Sequence, residues 1–506
     1  MDLSDLIERN AAFAPDKVAI RFQGRAYTYA QFATRIAAAA NALKSELGIG
    51  RGDRVAIVAA NHPDYLVLLY ACARLGAMLI PLNWRLATTE QIFILSDASA
   101  KALVIEQAFA GLIAPLKQVL REIRVIGIDF IGSDGAFNEL LAAGSGAGRN
   151  PHIDFSCPVL VVYTSGTTGR PKGAVLRQEA LVWNATMSHH MHALTSEDHV
   201  LSVLPLFHVG GLNIQTTPAL QLGATVTIHP RFAADATLAA FADDHPTLVV
   251  LVPTTIQALI EHPAWEQAEL TSLRAVTTGS TVVPPSLIHA FANRGVPVLQ
   301  VYGSTETCPI AIYTRLGGDL SRINSTGLPG LHCDARVVDG RGCEVPHGKT
   351  GEIIVRGPNV FFEYWGDQAA TGEALRDGWY HTGDVGTRDA DGYFYVHDRK
   401  KNLIISGGEN VYAAEVERVL QEHGAVLEAA VVGRPDRKWQ EVPIAFVVLR
   451  KNVVVDAESL RRHVEGRLAR FKVPSEIIFV ESLPRNALGK VQHFLLKELA
   501  ANTGAS

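Results

Sequence analysis

The stretch Tyr163-Thr-Ser-Gly-Thr-Thr-Gly-Arg-Pro-Lys-Gly-Ala174 packs four small hydroxyl side chains, three glycines and a lysine into twelve residues. An apolar run, Val159 to Tyr163, leads into it and predicts a buried strand. Gly166 and its neighbouring glycines free the backbone to wrap closely around an anion, with N–H groups turned inward. Thr164, Ser165, Thr167 and Thr168 add hydroxyl donors, and Lys172 adds a full positive charge. Such a loop grips a polyphosphate. It is not the phosphate loop with Gly-Lys-Ser/Thr spacing, because Pro171 stands five residues after Gly166, where that signature needs glycine.

A second cluster, Tyr302-Gly-Ser-Thr-Glu306, follows an apolar strand-like run. Magnesium prefers one or two carboxylates plus phosphate oxygens, which suits Glu306 as a metal ligand. Thr305 is placed to hydrogen-bond a phosphate, and Tyr302 offers a flat face for a base. Three further segments follow: Tyr380-His-Thr-Gly-Asp384, Asp398-Arg-Lys-Lys-Asn-Leu-Ile-Ile-Ser-Gly-Gly-Glu-Asn-Val-Tyr412 and Pro484-Arg-Asn-Ala-Leu-Gly-Lys490.

These five segments, in this order, resemble the adenylate-forming superfamily: acyl-CoA synthetases, peptide-synthetase adenylation domains and luciferases. The resemblance covers residues 163 to 490 and implies a set of roles. Thr164, Ser165, Gly166, Thr167, Thr168 and Lys172 hold the phosphates of ATP, Tyr302 and Thr305 the nucleotide, and Glu306 the Mg²⁺. Asp384 receives the ribose hydroxyls, with Arg399 behind it. Lys490 enters from a mobile lid and drives adenylation; its acetylation by a lysine acetyltransferase would remove the charge that it supplies. Gly407 and Gly408, in Ser406-Gly-Gly-Glu-Asn410, line the path of the pantetheine of coenzyme A. Asn402 departs from the many relatives that carry Asp, so a hinge salt bridge there is absent.

At 506 residues the chain is too long for one core. It is 48 % hydrophobic and 19 % charged, ordinary for a globular enzyme, and its net charge of −5 with no basic tract disfavours nucleic acid and anionic membrane surfaces as partners. Cys72, Cys157, Cys308, Cys333 and Cys343 show no Cys-x-x-Cys spacing, so neither a zinc site nor a disulfide framework is indicated. The acidic, polar start of the chain does not read as a secretory signal, and the greasy stretch Leu66 to Leu82 reads as a buried helix and strand rather than an integral membrane segment. A cytoplasmic enzyme, as a homodimer, is expected.

The expected fold is α/β. Residues 1 to about 320 alternate strand-like runs (Val55–Ala59, Ala102–Ile105, Thr247–Val252, Val296–Val301) with helical stretches such as Tyr29 to Leu47, which predicts largely parallel β/α layers. Residues 321–397 carry short runs between Asp-Gly and Gly-Asp turns and read as antiparallel strands, a small β-barrel. With the β/α layers they make an N-terminal ATP- and acyl-binding domain, 1–400. Residues 401–506 form a smaller mobile α+β lid with its hinge near Lys401. Within the lid, Leu460, Val464, Leu468 and Phe471 fall at helical spacing behind a capping Asp456.

By the same resemblance, His208-Val-Gly-Gly-Leu-Asn213, Thr277-Thr-Gly-Ser-Thr281 and Val301 to Pro309 line the acyl pocket. His208, Gly210, Gly211, Asn213, Gly279, Ser280 and Gly303 are its candidate residues, with His208 near the carboxylate. No lysine or arginine occurs in these segments, which disfavours a second buried carboxylate. Gly210 and Gly211 are expected to leave room for a chain or ring. The expected reaction is therefore that of an ATP-dependent acyl-CoA synthetase acting on a neutral medium- or long-chain fatty acid or an aryl, cinnamate-like acid. The alternatives are an enzyme that loads a carrier protein, which the end of the chain at Ser506 without a carrier domain disfavours, and a non-catalytic nucleotide-binding regulator.

Overall fold

The computed structural model describes residues 1–146, 148–165, 171–280, 283–406, 409–436, 438–485 and 491–503. By contact the chain divides into two compact units, Met1–Ala335 with Val355–His381, and Arg336–Ile354 with Thr382–Ser506. This division follows a different line from a single cut near Lys401, because two parts of the barrel-like stretch belong to the second unit.

The first unit is built on two sheets. In the nine-stranded sheet the strands Val18–Phe22, Thr225–Ile228, His199–Ser202, Leu248–Leu251, Ala275–Gly279 and Val298–Tyr302 run parallel in that spatial order. In the seven-stranded sheet Arg124–Gly127, Ala102–Ile105, Arg54–Val58, Met78–Pro81 and Pro158–Ser165 are parallel neighbours. Their sequences are near-continuous apolar runs, as strands covered on both faces require. Helices Thr88–Asp97 and Ile113–Val119 contribute Ile94, Leu95 and Leu116 to the core beside this sheet. Phe241, Ile256, Leu259 and Phe291, from helices, pack beside the larger one.

The helix of the greasy stretch is Pro63–Leu75. Proline sits in its first turn and Gly76 ends it at φ 72°, a left-handed cap that a side chain would strain. The strand Met78–Pro81 follows, fully buried. Among the described residues no helix is long and apolar enough to cross a membrane.

The strands of the barrel-like stretch, Asp334–Val338, Gly351–Arg356, Trp379–Arg388 and Phe394–Arg399, belong to one five-stranded sheet. In the C-terminal part, Val426–Asp436 and Gln440–Leu449 form an antiparallel pair, and Glu476–Phe479 joins it in parallel. Alternation along the pair is strict. Ala429, Val431, Ala445 and Val447 lie in a core with Val416, Leu420, Leu460 and Val464, while Ala430, Val432, Ile444 and Phe446 lie in another with Leu496 and Ala500. The helix capped by Asp456 is shorter than its periodicity suggests. Asp456 accepts from Ser459 N at 2.7 Å, but the helix runs only over Ala457–Glu465 and gives way at Gly466. Phe471 is therefore not on it; it lies exposed in the turn Arg470–Lys472.

Candidate active site

The candidate phosphate-loop segment begins and ends in paired strands. Strand Pro158–Ser165 pairs antiparallel with Pro171–Arg177, with Tyr163 opposite Gly173, Thr164 opposite Lys172 and Ser165 opposite Pro171. This register ties down both ends of the loop; Gly166, Thr167 and Thr168 lie outside the described residues. Tyr163 is anchored by donating its hydroxyl to Asp97 Oδ2 at 2.5 Å, and burial together with that carboxylate pushes the phenol well above its ordinary range, so it stays a donor.

The other edge of Pro171–Arg177 is taken by the short strand Glu363–Tyr364, whose Tyr364 lies opposite Ala174; Trp365 N donates to Gly173 O at 2.7 Å. This pairing brings Tyr364 to Lys172, whose ammonium is 5.5 Å from the ring centre, a cation–π contact. The hydroxyl of the same tyrosine donates to Glu306 Oε1 at 2.7 Å. Lys172 Nζ also lies 3.9 Å from Asp367 Oδ2. One phenol therefore touches both the lysine of the loop and the carboxylate of the second motif.

Glu306 and Thr305 are buried in a one-turn 3₁₀ helix, Thr305–Thr307, directly after strand Val298–Tyr302. Ser304 N donates to Thr307 Oγ1 at 2.9 Å, and Phe361 N donates to Glu306 O at 2.8 Å, so the turn is held at both ends. Gly303 admits nothing larger, since a Cβ there would lie 1.8 Å from Pro309 O. Tyr302 ends the strand, half-buried. Among the described residues the second oxygen of Glu306 makes no hydrogen bond or ion pair, and no group of three or more His, Cys, Asp or Glu side chains converges. A single buried carboxylate with one oxygen uncommitted fits Mg²⁺ carried mainly by phosphate and water oxygens. Sequence reasoning missed Tyr364 and Asp367; the aromatic run Phe361-Phe-Glu-Tyr-Trp365 was the available signal.

The acyl-pocket segments behave unequally. His208 precedes the helical turn Val209–Gly211, its ring 5.5 Å from that of Phe207. Around Gly210 a Cβ would meet nothing within 4 Å, which leaves open space. Gly211 differs from expectation, because a Cβ there would lie 2.3 Å from Pro205 O; this glycine serves close backbone packing and leaves no room. Gly279 is similar, with Val301 O at 2.2 Å. Asn213 is fully buried in a π-helical turn, Leu212–Thr216. Its carboxamide bonds Thr217 Oγ1 at 3.1 Å and Cys308 Sγ at 3.6 Å, so protein groups engage it. Ser280 is exposed with φ 77°, an unusual conformation for a side-chain-bearing residue. Within these segments Thr277, fully buried, bonds His192 Nε2 at 2.8 Å and Gln215 Nε2 at 3.2 Å. Burial holds the pKa of His192 down to about 4, so the ring is neutral. The periodicity of its helix gave no sign of this network.

In the second unit Asp384 and Arg399 are cross-strand partners, and the guanidinium Nε lies 2.9 Å from the buried carboxylate. Gly383 turns the chain at φ 70° just before Asp384. Asp398, raised in pKa by burial, accepts from Arg399 N, Ala414 N and Asn402 Nδ2, the last at 3.3 Å. Asn402 thus donates a hydrogen bond to the Asp398 carboxylate. Lys401 falls in the turn Lys400–Asn402. Gly407, Gly408 and Lys490 lie outside the described residues.

The first unit holds Lys172 near a buried carboxylate, and the second holds an Asp–Arg pair; these are the residue types that the resemblance assigns to an adenylate-forming enzyme. Residues 7–365 match the AMP-binding enzyme family, and residues 415–490 match the AMP-binding enzyme C-terminal domain. The chain belongs to this family, in its acyl/aryl-CoA ligase group. It is 46 % identical over 503 residues to an indoleacetate–CoA ligase of Aromatoleum aromaticum, covering 99 % of this chain and 98 % of that one. It is 40 % identical over 483 residues to a feruloyl-CoA synthase of Amycolatopsis sp, covering 96 % of each. In structure it resembles the anthranilate CoA ligase AuaEII in complex with anthranoyl-AMP, with a TM-score of 0.93, 27 % identity and coverage of 100 % and 98 %.

Proposed function

We propose that the protein joins a neutral aryl carboxylic acid to coenzyme A in two steps. An oxygen of the acid's carboxylate attacks the α-phosphorus of ATP, and pyrophosphate leaves. The thiol of coenzyme A then attacks the acyl carbon, a thioester forms, its proton goes to solvent and AMP leaves. Full-length similarity to ligases of indoleacetate and ferulate carries the assignment. Both relatives act on ring-bearing acids; a fatty acid has no support among them and is not retained. The open side of Gly210 and the absence of Lys and Arg from the acyl segments agree with a neutral ring.

The residues divide the work by charge. Lys172 and the loop hydroxyls hold the β- and γ-phosphates. Glu306, oriented by the hydroxyl of Tyr364, would hold Mg²⁺, which when bound would offset the phosphate charge. Asp384, steadied by Arg399, accepts from the ribose hydroxyls. Lys490 supplies a compact positive charge to the α-phosphate, and Gly407 and Gly408 admit the pantetheine. His208 faces the acid's carboxylate, and Gly210 borders its ring.

The test is a panel of indoleacetate, ferulate, cinnamate, octanoate and malonate, followed by pyrophosphate release and by thioester formation with coenzyme A. Aryl acids should lead by at least tenfold in kcat/KM. Malonate or octanoate as the best substrate would refute the acid assignment. Thioester formed only with a holo-carrier protein would refute coenzyme A as acceptor.

A further inference from the structure

We propose that Asp97 is a positioning residue for ATP binding, which holds both strands that flank the phosphate-loop segment and, through them, Lys172; this rests on the ATP-dependent reaction proposed above. The side chain of Asp97 takes one strand and its backbone takes the other. Its Oδ2 accepts from the hydroxyl of Tyr163, on strand Pro158–Ser165, at 2.5 Å. Its carbonyl oxygen accepts from the indole N–H of Trp365 at 3.2 Å. Trp365 in turn donates its backbone N–H to Gly173 O, on strand Pro171–Arg177, at 2.7 Å. Tyr163 and Gly173 are cross-strand partners. One residue of a separate helix therefore reaches both members of that pair.

The pair is fitted to this grip. A Cβ on Gly173 would lie 3.0 Å from two ring carbons of Tyr163 and 2.8 Å from a methyl of Val161. The tyrosine ring thus lies against bare backbone, and a side chain at Gly173 would displace it. Tyr163 and Trp365 both pack, half-buried, on the core that holds Ile94, Leu95 and Ala98 around Asp97.

Helix chemistry alone does not favour a carboxylate here. Asp97 is the last residue of helix Thr88–Asp97, whose last turn carries no basic residue. The carboxyl end of a helix is its negative pole, which disfavours Asp and favours Lys or Arg. The cation comes from outside the helix. Arg54 donates from Nε to Ala98 O at 2.5 Å and from Nη2 to Ser99 O at 2.9 Å, and its guanidinium carbon lies 4.9 Å from the ring centre of Trp365. A residue that goes against local preference and is compensated by long-range contacts is a sign of a functional role.

The grip lies one residue from the chemistry on both strands. Thr164 follows Tyr163, and its cross-strand partner Lys172 precedes Gly173. Tyr364 precedes Trp365 and touches both Lys172, 5.5 Å from the ring centre, and Glu306 Oε1, at 2.7 Å. Asp97 itself is exposed, so its replacement leaves no cavity in the core.

The test measures the Kd of Mg·ATP by calorimetry without acid, so that no turnover enters, and the KM of the acid separately. Asp97→Ala and Tyr163→Phe should each raise the Kd by about 3- to 10-fold and leave the acid's KM unchanged. The double variant should bind no more weakly than the worse single one, because both changes remove the same contact. Asp97→Asn keeps an acceptor for the hydroxyl and should restore most of the affinity. Unchanged Kd in both single variants, additive losses in the double variant, or a loss in Asp97→Asn equal to that in Asp97→Ala would overturn the proposal. So would a Kd and an acid KM that rise together with a lowered urea midpoint, the mark of a merely structural contact. Acid-dependent ATP–pyrophosphate exchange separates the two levels. Wild type that neither binds ATP nor exchanges refutes the ligase function and the role of Asp97 with it, whereas wild type that exchanges beside unaffected variants refutes the role of Asp97 alone.

Discussion

Replacing Tyr364 by Phe tests whether the carboxylate of Glu306 must be oriented to work. The substitution removes one hydroxyl and keeps the ring. The contacts of that ring with Lys172 at 5.5 Å and Phe361 at 4.7 Å survive, so the fold should hold. What is lost is a 2.7 Å hydrogen bond to a buried carboxylate. Hydrogen bonds to charged groups contribute about 1.5–3 kcal/mol. Tyr364 is only half-buried, and water can replace its hydroxyl, so the lower end applies, about 1.5 kcal/mol. At about 1.4 kcal/mol per decade, pyrophosphate release should slow about tenfold. The Mg²⁺ concentration for half-maximal rate should rise, because a freed carboxylate must be ordered again on binding. Titrating Mg²⁺ in the ATP–pyrophosphate exchange assay measures both. Tyr364→Phe with wild-type exchange and wild-type Mg²⁺ dependence would refute the orienting role. Equal loss in Glu306→Gln and in a Glu306→Gln/Tyr364→Phe double variant would support it, since the hydroxyl should matter only through the carboxylate.

Lys490→Ala should cut pyrophosphate release by about 100-fold or more, yet still convert supplied acyl-adenylate and coenzyme A to thioester; equal loss in both assays would reject the division of labour. Lys401→Pro should spare exchange and cripple thioester formation, because proline fixes φ where a hinge must turn; a normal thioester rate would place the hinge elsewhere. Gly210→Leu should fill the open side and raise KM for indoleacetate and ferulate by about tenfold or more, whereas Gly211→Ala should lower stability by about 1–3 kcal/mol, because Pro205 O stands 2.3 Å from the new Cβ; urea unfolding and the acid panel separate the two. His192 is buried and neutral, with its pKa held near 4, below the unfolded value of about 6.5. The unfolded chain therefore binds the proton first, and stability falls as pH drops through 6.5 toward 4. The contribution at pH 5 relative to pH 7 is about 2 kcal/mol, and His192→Gln should flatten that part of the urea-midpoint profile.

Two kinds of information are legible in the amino-acid sequence by itself. Strands such as Ala102–Ile105 and Val298–Tyr302 announce themselves because a strand covered on both faces must be apolar throughout. The ordered motifs announce the chemistry because phosphate binding demands glycine, hydroxyl and lysine at short range along the chain. The motifs also point to Asp384 and Arg399 as neighbours of one ribose, but their 2.9 Å contact comes from strand register fifteen residues apart. The aromatic run around Tyr364 marks the segment but not its partner, since Tyr364 reaches Glu306 only because Glu363–Tyr364 pairs with the edge of the strand that carries Lys172. The two glycines of the acyl segment look interchangeable in sequence. Whether a Cβ meets empty space or a carbonyl depends on atoms contributed by Pro205, and so on the fold of the loop. Arg231 and Arg85 are 146 residues apart and share the indole of Trp84 because the carboxyl ends of strands from two sheets lie together. Residue type sets which chemistry is possible at each position, and only long-range packing decides which positions meet.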